Sequence, residues 1–170
     1  TLEFPRDWGL GSSSTLVSLV AQWAEVNPYE LLQNSFGGSG YDVACATATG
    51  PITYQLGGVK PIVEEVAFKP SFSHQLHFLY TGKKQYSNKE VSRYRDLSFN
   101  KASAIAKVGD LTEQMLEAHS ISDFQTILNE HELLLSTILE MPTAKSLLLP
   151  TYTGSVKSLG AWGGDFVLLA

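Results

Sequence analysis

The stretch Pro5-Arg6-Asp7-Trp8-Gly9-Leu10-Gly11-Ser12-Ser13-Ser14-Thr15 sets the reading of the rest of the chain. Two glycines one residue apart let the backbone turn sharply and present its amides outward. Hydroxyl residues fill positions 12 to 15, and any of them can cap the helix that comes next. Leu16, Leu19, Val20 and Trp23 stand at i, i+3, i+4 and i+7 and predict a helix from about Ser13 to Val26 with one apolar face. Open amides at the positive end of a helix dipole form an anion site, with phosphate as the obvious occupant. An ordinary loop end has the same composition, so the stretch needs support from elsewhere. It is not a Walker A loop, because no Lys follows the second glycine, and Ser14 stands where a dinucleotide fingerprint has its third glycine.

Composition narrows the classes. The chain of 170 residues is 44% hydrophobic, which predicts one or two small globular domains. Twelve basic against seventeen acidic residues give a net charge of -5 with no basic run, which argues against a nucleic-acid partner. The single cysteine, Cys45, rules out an internal disulfide framework and suits a reducing, cytoplasmic setting. Set among alanines, it reads as a small core residue. No apolar run approaches the roughly 20 residues of a membrane span, so no membrane partner is expected. The chain opens at Thr1 into Leu2-Glu3-Phe4-Pro5, which reads like a strand end, and both termini are expected to be cuts from a longer protein.

Outward from the opening loop, Asn27, Pro28 and Glu30 form a capping box for a short second helix that ends near Gln33 to Phe36. Gly37-Gly38-Ser39-Gly40 breaks it, and Tyr41 to Ala46 reads as a brief buried helix. Ile52 to Leu56 and Pro61 to Phe68 read as strands joined by Gly57-Gly58. The lobe boundary is expected at Pro70 to Ser73, giving domains 1–72 and 73–170. A strand over Leu76 to Tyr80 follows, then helices over about Asn88 to Lys107, Leu111 to His119 and Asp123 to Leu139. The last of these carries Phe124, Ile127, Leu128, His131, Leu134, Leu135, Ile138 and Leu139 on one broad face. A short helix at Ala144 to Leu148 precedes strands at Ser155 to Leu159 and Phe166 to Leu169, with Gly160-Ala161-Trp162-Gly163-Gly164-Asp165 between them. Three glycine-rich loops in one mixed chain suggest close backbone approach to a ligand, since so much glycine costs backbone entropy.

Pro5 to Ser13 (PxxxGLGSS), Ser39 to Asp42 (SGYD) and Lys157 to Asp165 (KSLGAWGGD) resemble, in order and spacing, the last two signature motifs of the GHMP kinases with the aspartate loop between them. The Gly40-Tyr41-Asp42-Val43-Ala44 run is similar to that of a subgroup named for its Gly-Tyr-Asp-Ile-Ala motif. Thr81-Gly82 after a strand, and Asn129 and His131 followed by leucines, resemble the family's second lobe. The resemblance covers nearly the whole chain. It implies an α+β, two-lobe fold, the first lobe like the second domain of ribosomal protein S5 and the second ferredoxin-like, incomplete at both ends.

The activity so implied is transfer of the ATP γ-phosphoryl group, with Mg²⁺, to a hydroxyl of a small-molecule substrate, in the manner of mevalonate or phosphomevalonate kinases. A diphosphomevalonate decarboxylase and a non-catalytic nucleotide-binding relative are the alternatives. By resemblance, Gly9, Leu10, Gly11, Ser12, Ser13 and Ser14 wrap the ATP phosphates, and the Ser13 hydroxyl, or Ser12 beside it, reaches Mg²⁺. Gly38, Ser39 and Gly40 face the substrate, and Asp42 takes or orients its hydroxyl proton, capping the helix at Val43 being the competing role. Gly160, Ala161, Gly163 and Gly164 approach the phosphates or the substrate. The family's Mg²⁺-binding glutamate falls at Leu31, and Glu30 supplies it after a one-residue shift, against a competing role in capping its own helix. Trp162 replaces a glycine of the family pattern, and Asp165 adds negative charge beside an anion site. The acceptor and the oligomeric state are not specified.

Other polar residues point to less. His74 and His77 read as strand residues on opposite faces, which separates them as metal ligands. His131-Glu132 lacks the second histidine of a zinc helix. Gly37-Gly38-Ser39-Gly40 is no nucleophile elbow, because Tyr41 stands where glycine is required.

Overall fold

Side-chain caps set the starts of four of the described helices. The computed structural model describes residues 3–5, 8–57, 60–83, 94–160, 162 and 164–170. It shows a mixed α+β chain in two units, Thr1–Phe68 and Lys69–Ala170. The division comes four residues before the expected 72/73 boundary. Phe72 explains the shift, because its buried ring packs 5.2 Å from that of Phe124 and draws its segment into the second unit.

In the first unit, α1 (Ser12–Trp23), α2 (Pro28–Ser35) and α3 (Tyr41–Thr47) precede a hairpin of β1 (Ile52–Gln55) and β2 (Ile62–Glu65). The Asn27 side chain accepts from the amides of Tyr29 (2.8 Å) and Glu30 (3.3 Å), and Pro28 presets the first helical φ. The strands pair antiparallel, Ile52 opposite Glu65 and Gln55 opposite Ile62. α1 packs on both α2 and α3, around a buried cluster of Val17, Leu32 and Val43 flanked by Tyr29 and Leu31.

Three expectations fail here. The face of α1 marked by Leu16, Leu19, Val20 and Trp23 is exposed, with Trp23 at 86%, while Val17, Ser18 and Ala21 are buried. Small residues explain the choice: Ser18 and Ala21 on α1 and Ala44 on α3 permit close helix approach, and the bulky stripe turns away. The helix also stops at Trp23, because Glu25 adopts φ 55 and the Val26 amide folds back to the Ala21 carbonyl at 3.0 Å. Cys45, expected in the core, is exposed, because the short α3 turns Val43 and Ala44 inward.

In the second unit a single-turn 3-10 helix (Ser73–Gln75) leads into β3 (His77–Tyr80), so His74 lies in a turn and not on a strand. Then come α4 (Lys101–Leu116), α5 (Ile121–Leu139), α6 (Ala144–Leu148), β4 (Val156–Ser158) and β5 (Phe166–Leu169). The sheet order is β3-β5-β4, all antiparallel, with Tyr80 opposite Phe166 and Val156 opposite Leu169. Side chains of Asn100, Ser120 and Thr143 cap α4, α5 and α6. The sequence predicts a break between Lys107 and Leu111, but α4 runs through Gly109-Asp110 unbroken. One helical glycine costs only about 1 kcal/mol, less than burying Leu111 against the next helix returns. Residues 88–93 of the expected helix lie outside the described residues. The core gathers Ala144, Val156 and Val167 with Leu148, Leu149, Tyr152 and Leu169 around them. Among the described residues no helix is long and apolar enough to cross a membrane.

Candidate functional site

The opening loop turns on its glycines. Gly9 (φ 69) and Gly11 (φ 70) both occupy the left-handed region that favours glycine, and Gly11 is the N-cap of α1. No hydroxyl caps the helix, contrary to the sequence expectation: Ser12 is already its first residue, and no side chain makes a capping bond. The Gly11 carbonyl accepts from the Thr15 amide (3.0 Å) and the Thr15 hydroxyl (3.1 Å). The first-turn amides of Ser12, Ser13 and Ser14 therefore have no side-chain acceptor among the described residues, which leaves them available to an anion. Ser13 is exposed, and Ser12 and Ser14 are half-buried.

The aspartate loop is more rigid than its glycines suggest. Gly37 (φ 68), Gly38 (φ 112) and Gly40 (φ 83) all have positive φ. Gly40 is buried, and a Cβ there would lie 2.9 Å from the Tyr29 ring and 3.2 Å from the Tyr54 hydroxyl. Tyr54 donates its hydroxyl to the Ser39 carbonyl, and Gln33 donates its amide to the Gly38 carbonyl at 2.7 Å. The Tyr41 and Tyr54 rings meet edge to face at 5.6 Å. Tyr29, Gln33 and Tyr54 thus hold the loop that carries Asp42, and sequence reading missed all three. They come from two elements, Tyr29 and Gln33 from α2 and Tyr54 from β1, and only a glycine too crowded for any side chain hints at them.

Asp42 stands in the first turn of α3. Its carboxyl is open at the surface on one side, yet the protein around it removes enough water to raise its pKa above the ordinary carboxylate value. Burial, then the hydrogen bond with Cys45, and the charge of Asp42 push the Tyr41 phenol up to about 12, so it stays neutral beside the aspartate.

Ser13, Glu30 and Asp42 each occupy the first turn of a different helix, α1, α2 and α3, and those helices share the Val17, Leu32 and Val43 cluster. The capping box at α2 is only half made. Asn27 accepts from the Glu30 amide, while no hydrogen bond returns from the exposed Glu30 carboxylate to Asn27 among the described residues. Among the described residues no three of His, Cys, Asp and Glu gather as a metal cluster. Magnesium requires no such cluster: it binds through one or two carboxylates, waters and substrate phosphates, and the oxygen donors of Ser13 and Glu30 fit that chemistry.

In the second unit, Ala161 and Gly163 of the last glycine loop lie outside the described residues. Gly160 has φ 60, and Trp162, though not a glycine, has φ 57. Its ring packs 5.7 Å from that of Tyr94. Thr81 ties the loop down, donating its hydroxyl to the Gly164 carbonyl (3.2 Å) and its amide to the Asp165 carbonyl (2.9 Å).

Beside this loop lies a buried hub that sequence reading passed over. Glu132 accepts from the Ala144 amide (2.9 Å), the Ser158 amide (3.1 Å) and the Ser158 hydroxyl (2.8 Å), and pairs with Lys157 at 3.5 Å. Burial lowers the Lys157 pKa, against the pull of Glu132. His131 is pushed down to about 4 by burial and then by Lys157, with Glu132 opposing, and its buried Nδ1 has no hydrogen-bond partner among the described residues. Glu132 is thus a structural clasp on α6 and β4. One signal was present: Glu132 lies four residues after Leu128 and seven before Leu139, on the apolar stripe of α5.

No family model, curated protein or solved structure matches the chain.

Proposed function

We propose that the chain carries the ATP-phosphate loop and the catalytic aspartate of a GHMP-type kinase, which phosphorylates a hydroxyl of a small metabolite as mevalonate and phosphomevalonate kinases do. The observation that carries the proposal is the arrangement of the first unit: an uncapped helix start after two left-handed glycines, with Ser13, Glu30 and Asp42 in the first turns of three helices packed on one cluster. The two-lobe fold of that family, built on an S5-like and a ferredoxin-like lobe, is part of the same proposal.

In this reading the amides of residues 9 to 14 wrap the ATP phosphates, and the macrodipole of α1 favours their charge. Ser13 and Glu30 would hold Mg²⁺, whose charge would offset negative charge on the phosphoryl oxygens. Asp42 accepts the proton of the acceptor hydroxyl at its carboxylate, and its raised pKa makes it a better base than an ordinary aspartate. Tyr29 and Tyr54 fix the loop, so the carboxylate is aimed before substrate arrives.

Replacing Asp42 with Asn in the intact protein tests this. Phosphoryl transfer should fall by about 10²–10⁴, the usual weight of a general base, while ATP affinity stays within about threefold. Unchanged turnover removes Asp42 from the mechanism. A coupled ADP-release screen with mevalonate, phosphomevalonate, diphosphomevalonate, homoserine and galactose identifies the acceptor, and CO₂ release with diphosphomevalonate would assign the decarboxylase reaction instead.

A further inference from the structure

The second unit contains a cleft of about 180 Å³ that the phosphoryl chemistry above does not use. Leu135, Leu139, Met141 and Leu148 form its apolar wall, and the Trp162 side chain also lines it. An apolar cavity of about 150 Å³ accepts benzene, so this one takes a single ring with a short substituent. Met141 adds an adaptable thioether to the wall.

Most polar groups in the lining are already engaged. Glu132 and Ser158 bond each other, Ser136 donates to the Met141 carbonyl, and Thr81 donates to the Gly164 carbonyl. The Glu132 charge is offset by Lys157, buried 3.5 Å away. Lys83 is different: it is exposed, lines the cleft, and its ammonium has no ion pair or hydrogen bond among the described residues. The uncompensated charge of the cleft is therefore positive, and it sits beside an apolar wall.

We propose that this cleft is a binding site for a small carboxylic acid with a hydrocarbon body the size of one ring. The body lies among Leu135, Leu139, Met141 and Leu148, and the carboxylate meets Lys83. This pairs apolar burial with one charge-assisted contact, the usual division of labour in a small-molecule site. The lining named here belongs wholly to the second unit, and the proposal does not depend on the kinase reading. Because Trp162 belongs to the glycine loop that Thr81 anchors, an occupant rests directly against that loop.

Trp162 supplies the readout. The chain has three tryptophans, and Trp8→Phe with Trp23→Phe leaves Trp162 as the sole emitter. This protein is titrated with phenylacetate and with the neutral 2-phenylethanol. Phenylacetate should shift the emission saturably and bind about tenfold or more tighter than the alcohol. Lys83→Gln, a change at the exposed rim that leaves the wall intact, should erase that preference while the alcohol still binds. No saturable change with phenylacetate up to about 10 mM, or a preference for it that survives Lys83→Gln, overturns the proposal.

Discussion

Replacing Gly40 with Ala should be among the most damaging single-methyl additions in the first unit. Gly40 has φ 83, where a side chain of an L-residue costs about 1–2 kcal/mol. The new Cβ would also lie 2.9 Å from one carbon of the Tyr29 ring, 3.2 Å from another, and 3.2 Å from the Tyr54 hydroxyl. Tyr29 packs against the Val17, Leu32 and Val43 cluster, and Tyr54 is held by its bond to the Ser39 carbonyl, so neither backs away freely. Overpacking of this kind adds about 1–3 kcal/mol, for a total of about 2–5 kcal/mol. Gly38→Ala is the control. Its φ of 112 is also unfavourable, but nothing lies within 4 Å of the added atom, so it carries the backbone cost alone. Urea unfolding followed by circular dichroism measures both, and Gly40→Ala should be the less stable by about 1–3 kcal/mol. On the proposed kinase reading the loop aims Asp42, so any phosphoryl transfer would fall with it. Equal stability of the two variants, within about 0.5 kcal/mol, would refute the claim that the tyrosines clamp the loop.

Glu132→Ala should cost about 3–5 kcal/mol, because it leaves buried Lys157 without its partner and the Ala144 and Ser158 amides without an acceptor. Thermal unfolding measures it, and a loss under about 1 kcal/mol would mean the hub is not a clasp. His131 gives a pH signature. Its folded pKa of about 4 lies below the ordinary histidine value of 6.5, so the folded chain binds fewer protons, and its contribution is complete above about pH 6.5 and is lost as pH falls toward 4. The ring is only part-buried, so solvent screening holds the effect to roughly 1–2 kcal/mol. Urea midpoints across that window should decline more steeply for the native chain than for His131→Gln. Parallel curves would remove His131 as the cause.

Local chemistry was readable from sequence, and partnership was not. Asn27-Pro28 gave the start of α2, and the alternating stretches gave β1, β2, β3 and β5 close to their places. The helical pattern over α5 gave nearly its full span, because its stripe is packed in its own unit. The stripe on α1 obeyed the same periodicity and yet faces solvent, since apolar spacing records a need for cover without naming what meets it. Gly109 read as a break because a propensity is local, while the burial of Leu111 that overrides it is not. At the candidate site, Gly9, Gly11 and Gly40 were visible from residue type alone. Tyr29 and Tyr54 were not, because they meet Gly40 only after α2 and β1 have packed around it.

The inverted face of α1 bears on how that helix opens. It buries the Ser18 hydroxyl with no hydrogen-bond partner among the described residues and leaves Leu16, Leu19 and Trp23 in water, so hydrophobic burial holds it less firmly than it holds α5. Its amides therefore exchange with solvent through small, local openings, while those of α5 wait for a larger unfolding. Since the glycine loop leads into the first turn of this helix, an anion held there, as proposed, would tie down that end, and its occupancy would read out as slowed deuterium uptake along residues 17 to 23.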